Sequence, residues 1–185
     1  DILGSEYGLT IEVQRGAGGY VCGEETTMLN TMEGYRREPR IRPPFPTEAG
    51  LWAKPTVINN AETLASVPFI LANGAKAFAE IGNEKATGTK IVSLSGSVLR
   101  PGMVEVPMGT SLREIIQDVG EGPLPGHTLT GVAVGGPSSG VFPPSMLDTP
   151  IGPGPLHETG VMMGAGGVIA LDERISALEV VRRLA

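Results

Sequence analysis

The sequence predicts an α/β protein in two parts, a strand–loop–helix half followed by an α+β half. Three observations carry that expectation. A glycine-rich run, Gly16-Ala17-Gly18-Gly19-Tyr20-Val21-Cys22-Gly23-Glu24-Glu25-Thr26, separates a period-2 segment from a helical one. A polar stretch at 82–88, Gly-Asn-Glu-Lys-Ala-Thr-Gly, marks a boundary. Beyond it, a hairpin pattern, an amphipathic helix and further short strands follow in turn.

In order, residues 9–13 (Leu-Thr-Ile-Glu-Val) alternate as a half-buried strand. Residues 24–33 carry Met28, Leu29 and Met32 at helical spacing, and Gly34 is a natural stop. Glu24 and Glu25 fall in the first turn, where acids favour the positive end of the helix dipole. Residues 36–46 hold four arginines and four prolines in eleven positions, a stiff basic loop. That loop is either a solvated surface segment paired with local acids or a cationic arm for a phosphate. Residues 55–58 form a short strand, and Asn59-Asn60-Ala61-Glu62 opens a helix with Asn59 as N-cap and Glu62 at N3. Pro68 predicts a kink or break in that helix, with a second piece over 75–81. Residues 90–95 and 103–106 make the hairpin, and 111–119 a helix burying Leu112, Ile115, Ile116 and Val119 before Gly120. Residues 131–134, 140–142 and 167–171 are further strands, and 175–184 a final helix. Hairpin, helix, then strands is a β-grasp-like order.

Composition narrows the chemistry. The 185 residues include 27 glycines and 16 prolines, but these sit between apolar runs, as in a loop-rich globular protein. The net charge of −6 argues against general nucleic-acid binding. A single cysteine excludes an internal disulfide and a four-cysteine metal or iron–sulfur site within this sequence. His127 and His157 lie far apart in loop sequence and read as solvated residues, so no metal ligand set is assigned. No apolar run reaches the length of a membrane span, which makes a soluble intracellular protein the default. The pattern opens in mid-element and ends within a helix, as a piece of something longer would.

The common nucleotide signatures fail. Gly16-x-Gly18 needs a glycine at Val21, Gly164-x-Gly166 needs one at Ile169, and no Gly-Lys-Ser/Thr occurs. Cys22 has no helper nearby in sequence and reads as an inert thiol. Three motifs taken together are specific: the run 16–26, the loop Arg40-Ile41-Arg42-Pro43-Pro44-Phe45-Pro46, and Thr56-Val57-Ile58-Asn59-Asn60-Ala61-Glu62-Thr63. In this order and spacing they closely resemble the FMN- and NADH-binding flavoprotein family of respiratory NADH–quinone oxidoreductase (complex I). That family includes the diaphorase subunits of NAD-linked hydrogenases and formate dehydrogenases.

The resemblance implies the C-terminal part of a Rossmann-like FMN-binding domain over 1–86. It implies a β-grasp, soluble-ligand-binding domain over 87–172, and the start of a truncated helical iron–sulfur domain over 173–185. It implies hydride transfer from NADH to FMN, with electrons leaving through iron–sulfur clusters to quinone, or to a hydrogenase or formate dehydrogenase in the diaphorase alternative. Tyr20, Gly23, Glu24 and Glu25 would then line the flavin and nicotinamide pocket. Asn59, Asn60 and Thr63 would face the FMN ribityl-phosphate side with Ile58 nearby, and Phe45 would stack near the NADH adenine. Arg42 stands where the family often has lysine; it keeps the charge but not the shape. No side chain is assigned as a catalytic acid or base, because the cofactors carry the chemistry.

The implied partners are other subunits of an oxidoreductase complex, without nucleic acid or direct membrane insertion. The implied location is cytoplasmic, in a soluble complex or on the peripheral side of a membrane complex. The family's N-terminal flavin loop and four-cysteine domain are absent here, so the cluster belongs to the full-length protein only. The chain alone is expected to be inactive, its β-grasp half serving at most for docking. A corrin ligand in that half lacks support, since Phe142 is the only aromatic residue between 79 and 185.

Overall fold

The computed structural model describes residues 4–16 and 18–184. The chain divides into two compact units, Asp1–Ala61 and Glu62–Ala185.

In the first unit the glycine run becomes a 3₁₀ turn, Tyr20–Gly23, leading into helix α1, Glu25–Met32. Leu29 is the apolar residue that α1 buries, and Thr26 and Thr27 are buried beside it. The helix ends as its sequence predicts. Gly34 takes φ +82°, its N–H bonds Thr31 O, and Tyr35 N–H bonds Asn30 O, a Schellman closure. The basic loop leads to a one-turn helix α2, Pro46–Ala49. Thr56 closes this region: its N–H donates to Pro46 O, and its Oγ1 accepts from Leu51 N–H. Gly50 is required there, because a Cβ would lie 2.4 Å from the Thr56 side chain.

Two expected strands do not pair. Residues 9–13 are exposed, with Val13 at 95%, and neither they nor residues 55–58 join a sheet among the described residues. Alternation prepares a chain for a sheet, but a strand exists only once a neighbour takes its N–H and C=O groups.

Helix α3, Ala61–Asn73, starts at the last residue of the first unit and does not break at Pro68, where a kink or break is expected. Gly74, at φ +87°, separates it from α4, Ala75–Ala79. The polar boundary folds into a small hairpin, β1 (Gly82–Asn83) with β2 (Ala86–Thr87). Asn83 Oδ1 closes that turn by accepting from Lys85 and Ala86 N–H.

The predicted hairpin is β3 (Thr89–Gly96) against β4 (Gly102–Pro107), antiparallel with Ile91 opposite Glu105. With β5 (Leu129–Val134), β6 (Gly140–Phe142) and β7 (Gly167–Asp172) it forms a five-stranded mixed sheet of order β4-β3-β7-β5-β6, in which β3 and β7 run parallel. The predicted helix after the hairpin winds differently: over Glu114–Val119 it is π-helical, with Gly120 N–H reaching Ile115 O. Ser111 and Glu114 form a reciprocal capping box at its start. Leu112, Ile115 and Ile116 bury completely against Val92, Leu94, Val132, Val134 and Val168. This is the β-grasp arrangement that the order of elements predicts. Between β6 and β7 comes the one-turn helix α5, Pro155–Glu158, and after β7 the helix α6, Ala177–Leu184. No helix among the described residues is long and apolar enough to cross a membrane.

Candidate functional site

The first unit gathers Glu24, Glu25 and Arg42 around the start of α1. Glu24 is the N-cap: its Oε2 accepts from Thr26 N at 3.0 Å, Thr27 N at 2.8 Å, Thr26 Oγ1 at 2.7 Å and Thr27 Oγ1 at 3.0 Å. Burial alone would raise its pKa, but these hydrogen bonds outweigh it and hold the carboxyl below the usual glutamate range. Glu25 projects from the first helical position and pairs with Arg42. The two adjacent acids therefore have different work: Glu24 organises the helix start, and Glu25 holds the loop cation.

Arg40, not singled out by its sequence, is the hub of the basic loop. Its backbone N–H donates to Thr26 Oγ1 at 2.9 Å. Its guanidinium donates to Asn30 Oδ1 at 2.8 Å and to Gly50 O at 3.1 Å, and pairs with Glu33 at 2.9 Å. Glu33 also accepts from Trp52 N–H. Arg40 thus fastens the loop to α1 from inside, which leaves Arg42 and Phe45 on its outer side. Phe45 has a half-exposed ring, and its N–H donates to Glu48. The partners of Arg40 lie on two separate segments, α1 with its C-cap and Gly50, so no local spacing could have marked it.

The glycines serve different ends. A Cβ on Gly19 would meet Cys22 Sγ at 3.2 Å, so that glycine permits the tight turn itself. A Cβ on Gly23 would stand in open space, beside the half-exposed Tyr20. That open backbone is a face a planar ligand could approach. Ile58 is half-buried, and Asn59, Asn60 and Thr63 are exposed. Asn59 and Asn60 close the first unit, whereas Thr63 belongs to the second. A separate cleft of about 520 Å³ in the first unit is lined by Met28, Met32, Leu51 and Trp52 with Cys22 and residues 12, 14, 15 and 16. None of the sequence-assigned residues lines it.

His127 is not simply solvated. Its Nδ1 lies 2.7 Å from Glu173 Oε1, and with Asp172 these groups bring ligand-type atoms within 4.8 Å of one another. The cluster already holds its own cation, because Arg174 grips Asp172 through Nε and Nη2. Hydrogen bonds from Arg174, then Ser97, hold the Asp172 carboxyl far below its usual range.

Residues 3–69 match the Nuo51 FMN-binding domain family, and residues 91–142 match the SLBB domain. The sequence is 45% identical over 183 residues to the F 2 subunit of NADH-quinone oxidoreductase of Rhizobium meliloti (strain 1021), covering 99% of this chain and 44% of that one. The chain thus carries a segment similar to the Nuo51 FMN-binding domain followed by one similar to the SLBB domain. The chain is likewise similar to the NADP-reducing hydrogenase subunit HndC of Solidesulfovibrio fructosivorans, 45% identical over 94% of this chain and 35% of that one. A crystal structure of an air-oxidized NAD+-reducing [NiFe]-hydrogenase superposes with a TM-score of 0.74 at 35% identity, over 89% of this chain and 28% of that chain. The chain spans less than half the length of these relatives.

Proposed function

We propose that this chain supplies one wall of an FMN–NADH site in a protein that takes hydride from NADH onto FMN and passes electrons to iron–sulfur clusters. The observation that carries it is the start of α1, where Glu24, Glu25 and Arg42 converge beside the open backbone of Gly23. The donor set fits FMN: a bare backbone and Tyr20 for the ring, and Asn59, Asn60 and Thr63 as neutral donors for ribityl and phosphate oxygens, with Ile58 nearby. Bound FMN supplies the hydride acceptor and single-electron chemistry. The protein's own work is positioning. Glu25 and Arg42 offer a carboxylate and a guanidinium to NADH hydroxyl and phosphate groups, and Phe45 offers a ring for the adenine. The division at 1–86, 87–172 and 173–185 belongs to the same proposal, as do a cytoplasmic location and assembly with other subunits.

Quinone is the final acceptor in this reading. A hydrogenase-linked diaphorase is the second reading, favoured by the match to the HndC protein and to the hydrogenase structure. The test uses the intact, natively assembled protein and NADH:ferricyanide activity. Phe45→Ala is expected to raise KM for NADH roughly 10-fold or more with kcat and FMN content retained. An unchanged KM removes Phe45 from the site, and a protein that carries no flavin defeats the proposal.

A further inference from the structure

At the first turn of α3 the carboxylate of Glu62 reaches β3. One oxygen accepts from Ile91 N–H at 2.7 Å, and the other pairs with Lys90 Nζ. The register explains why that N–H is available. On this edge of β3, Ser93 N–H bonds Gly166 O, and β7 pairs from Ser93 onward. Ile91 is the next residue on the same edge, before β7 begins. Glu62 therefore takes a ladder position that no strand fills among the described residues.

No residue of helix α3 is fully buried. Between α3, α4 and the sheet lies a cleft of about 240 Å³, lined by Ala65, Ser66, Phe69, Phe78 and Ile91 among others. Phe69 and Phe78 meet as tilted rings 6.4 Å apart. The Glu62 and Lys90 side chains, by contrast, are 28% and 20% exposed, sheltered enough for the pair to count. Burial pushes the Glu62 pKa up, but the Lys90 and Ile91 bonds outweigh it and leave the carboxyl below its usual range.

We infer that Glu62 and Lys90 are positioning residues through which the β-grasp sheet fixes the start of α3, and with it Thr63, for the FMN phosphate side. This rests on the proposed FMN site. It gives the β-grasp domain a task that needs no ligand of its own: it is the bed on which a cofactor-holding helix end is set. A helix end free to rock would present its donors over a range of positions, and a misplacement of about 1 Å is costly at a preorganised site.

The test titrates FMN into flavin-stripped, natively assembled protein, with thermal melting followed alongside. Lys90→Met is expected to weaken FMN binding roughly 10-fold, while KM for NADH at saturating FMN stays unchanged. Lys90→Arg, which keeps the cation, is expected to recover most of the affinity. Glu62→Gln retains an oxygen for Ile91 N–H and is expected to fall between the two, providing a reading if Lys90→Met folds poorly. The inference is overturned if both Lys90→Met and Glu62→Gln bind FMN as tightly as the parent. It is equally overturned if affinity falls only in step with melting temperature and Lys90→Arg restores nothing. A parent protein that takes up no FMN overturns the underlying reading as well, and so separates the two failures.

Discussion

Glu24, a candidate pocket residue from its sequence, caps α1 in the structure. Its Oε2 collects four donors from Thr26 and Thr27, two of them orphan N–H groups of the first turn. Glu24→Ala is therefore expected to destabilise the fold by about 1 kcal/mol, read as a lower denaturation midpoint in flavin-free protein. No change would mean that the cap contributes nothing to stability. Glu24, Glu62, Asp172 and Glu173 all have lowered carboxyl pKa values in the folded state. Their contribution is fully present above the unfolded value of about 4 and is lost as pH falls through the lower folded values. Urea midpoints should thus hold between neutrality and about pH 5 and drop steeply below about pH 4. A midpoint rising on acidification would contradict these pairings. The sequence showed the acids at a helix start, but not which one turns inward. That depends on Thr26, Thr27 and Arg42 meeting them in space.

At the level of elements, periodicity located the hairpin, the buried face of Leu112, Ile115 and Ile116, and the strands β5 to β7. Each carries enough apolar residues to state its own period. It failed where pairing was decided elsewhere: residues 9–13 alternate with no strand partner among the described residues. At Pro68, helix α3 does not break. The π-helical turn, with its bond from Gly120 to Ile115, was not legible either, and Gly120 lies close against Leu94. A Cβ on Gly120 would lie 2.7 Å from that side chain. Gly96 shows the same constraint between strands. At φ +88° a Cβ there would sit 2.1 Å from Ala170 O in β7. Gly96→Ala is expected to cost more than about 2 kcal/mol, seen as a large fall in melting temperature. A fall of only a degree or two would show that β3 and β7 can separate locally.

For the molecule as a whole, the chain spans less than half the length of its relatives, and in its first unit segments 9–13 and 55–58 have no sheet among the described residues. One wall of a site binds FMN poorly, because the ring and phosphate need donors on both sides to offset their lost hydration. The 185-residue chain by itself, given FMN and NADH, is expected to reduce ferricyanide no faster than free flavin does. Robust turnover would mean that these residues suffice.

The sequence by itself determined the family resemblance, through three motifs in register, and the β-grasp half, through local periodicity with apolar faces strong enough to choose their own partners. Only the tertiary structure decided what individual charged residues do. Arg40 became a hub, Glu24 a cap, Glu62 a clamp on β3 and His127 a partner of Glu173. The physical reason is range. Backbone preference and hydrophobic period act over a few neighbouring residues. A carboxylate or guanidinium takes its role from whichever donors or acceptors the fold brings within about 3 Å of it.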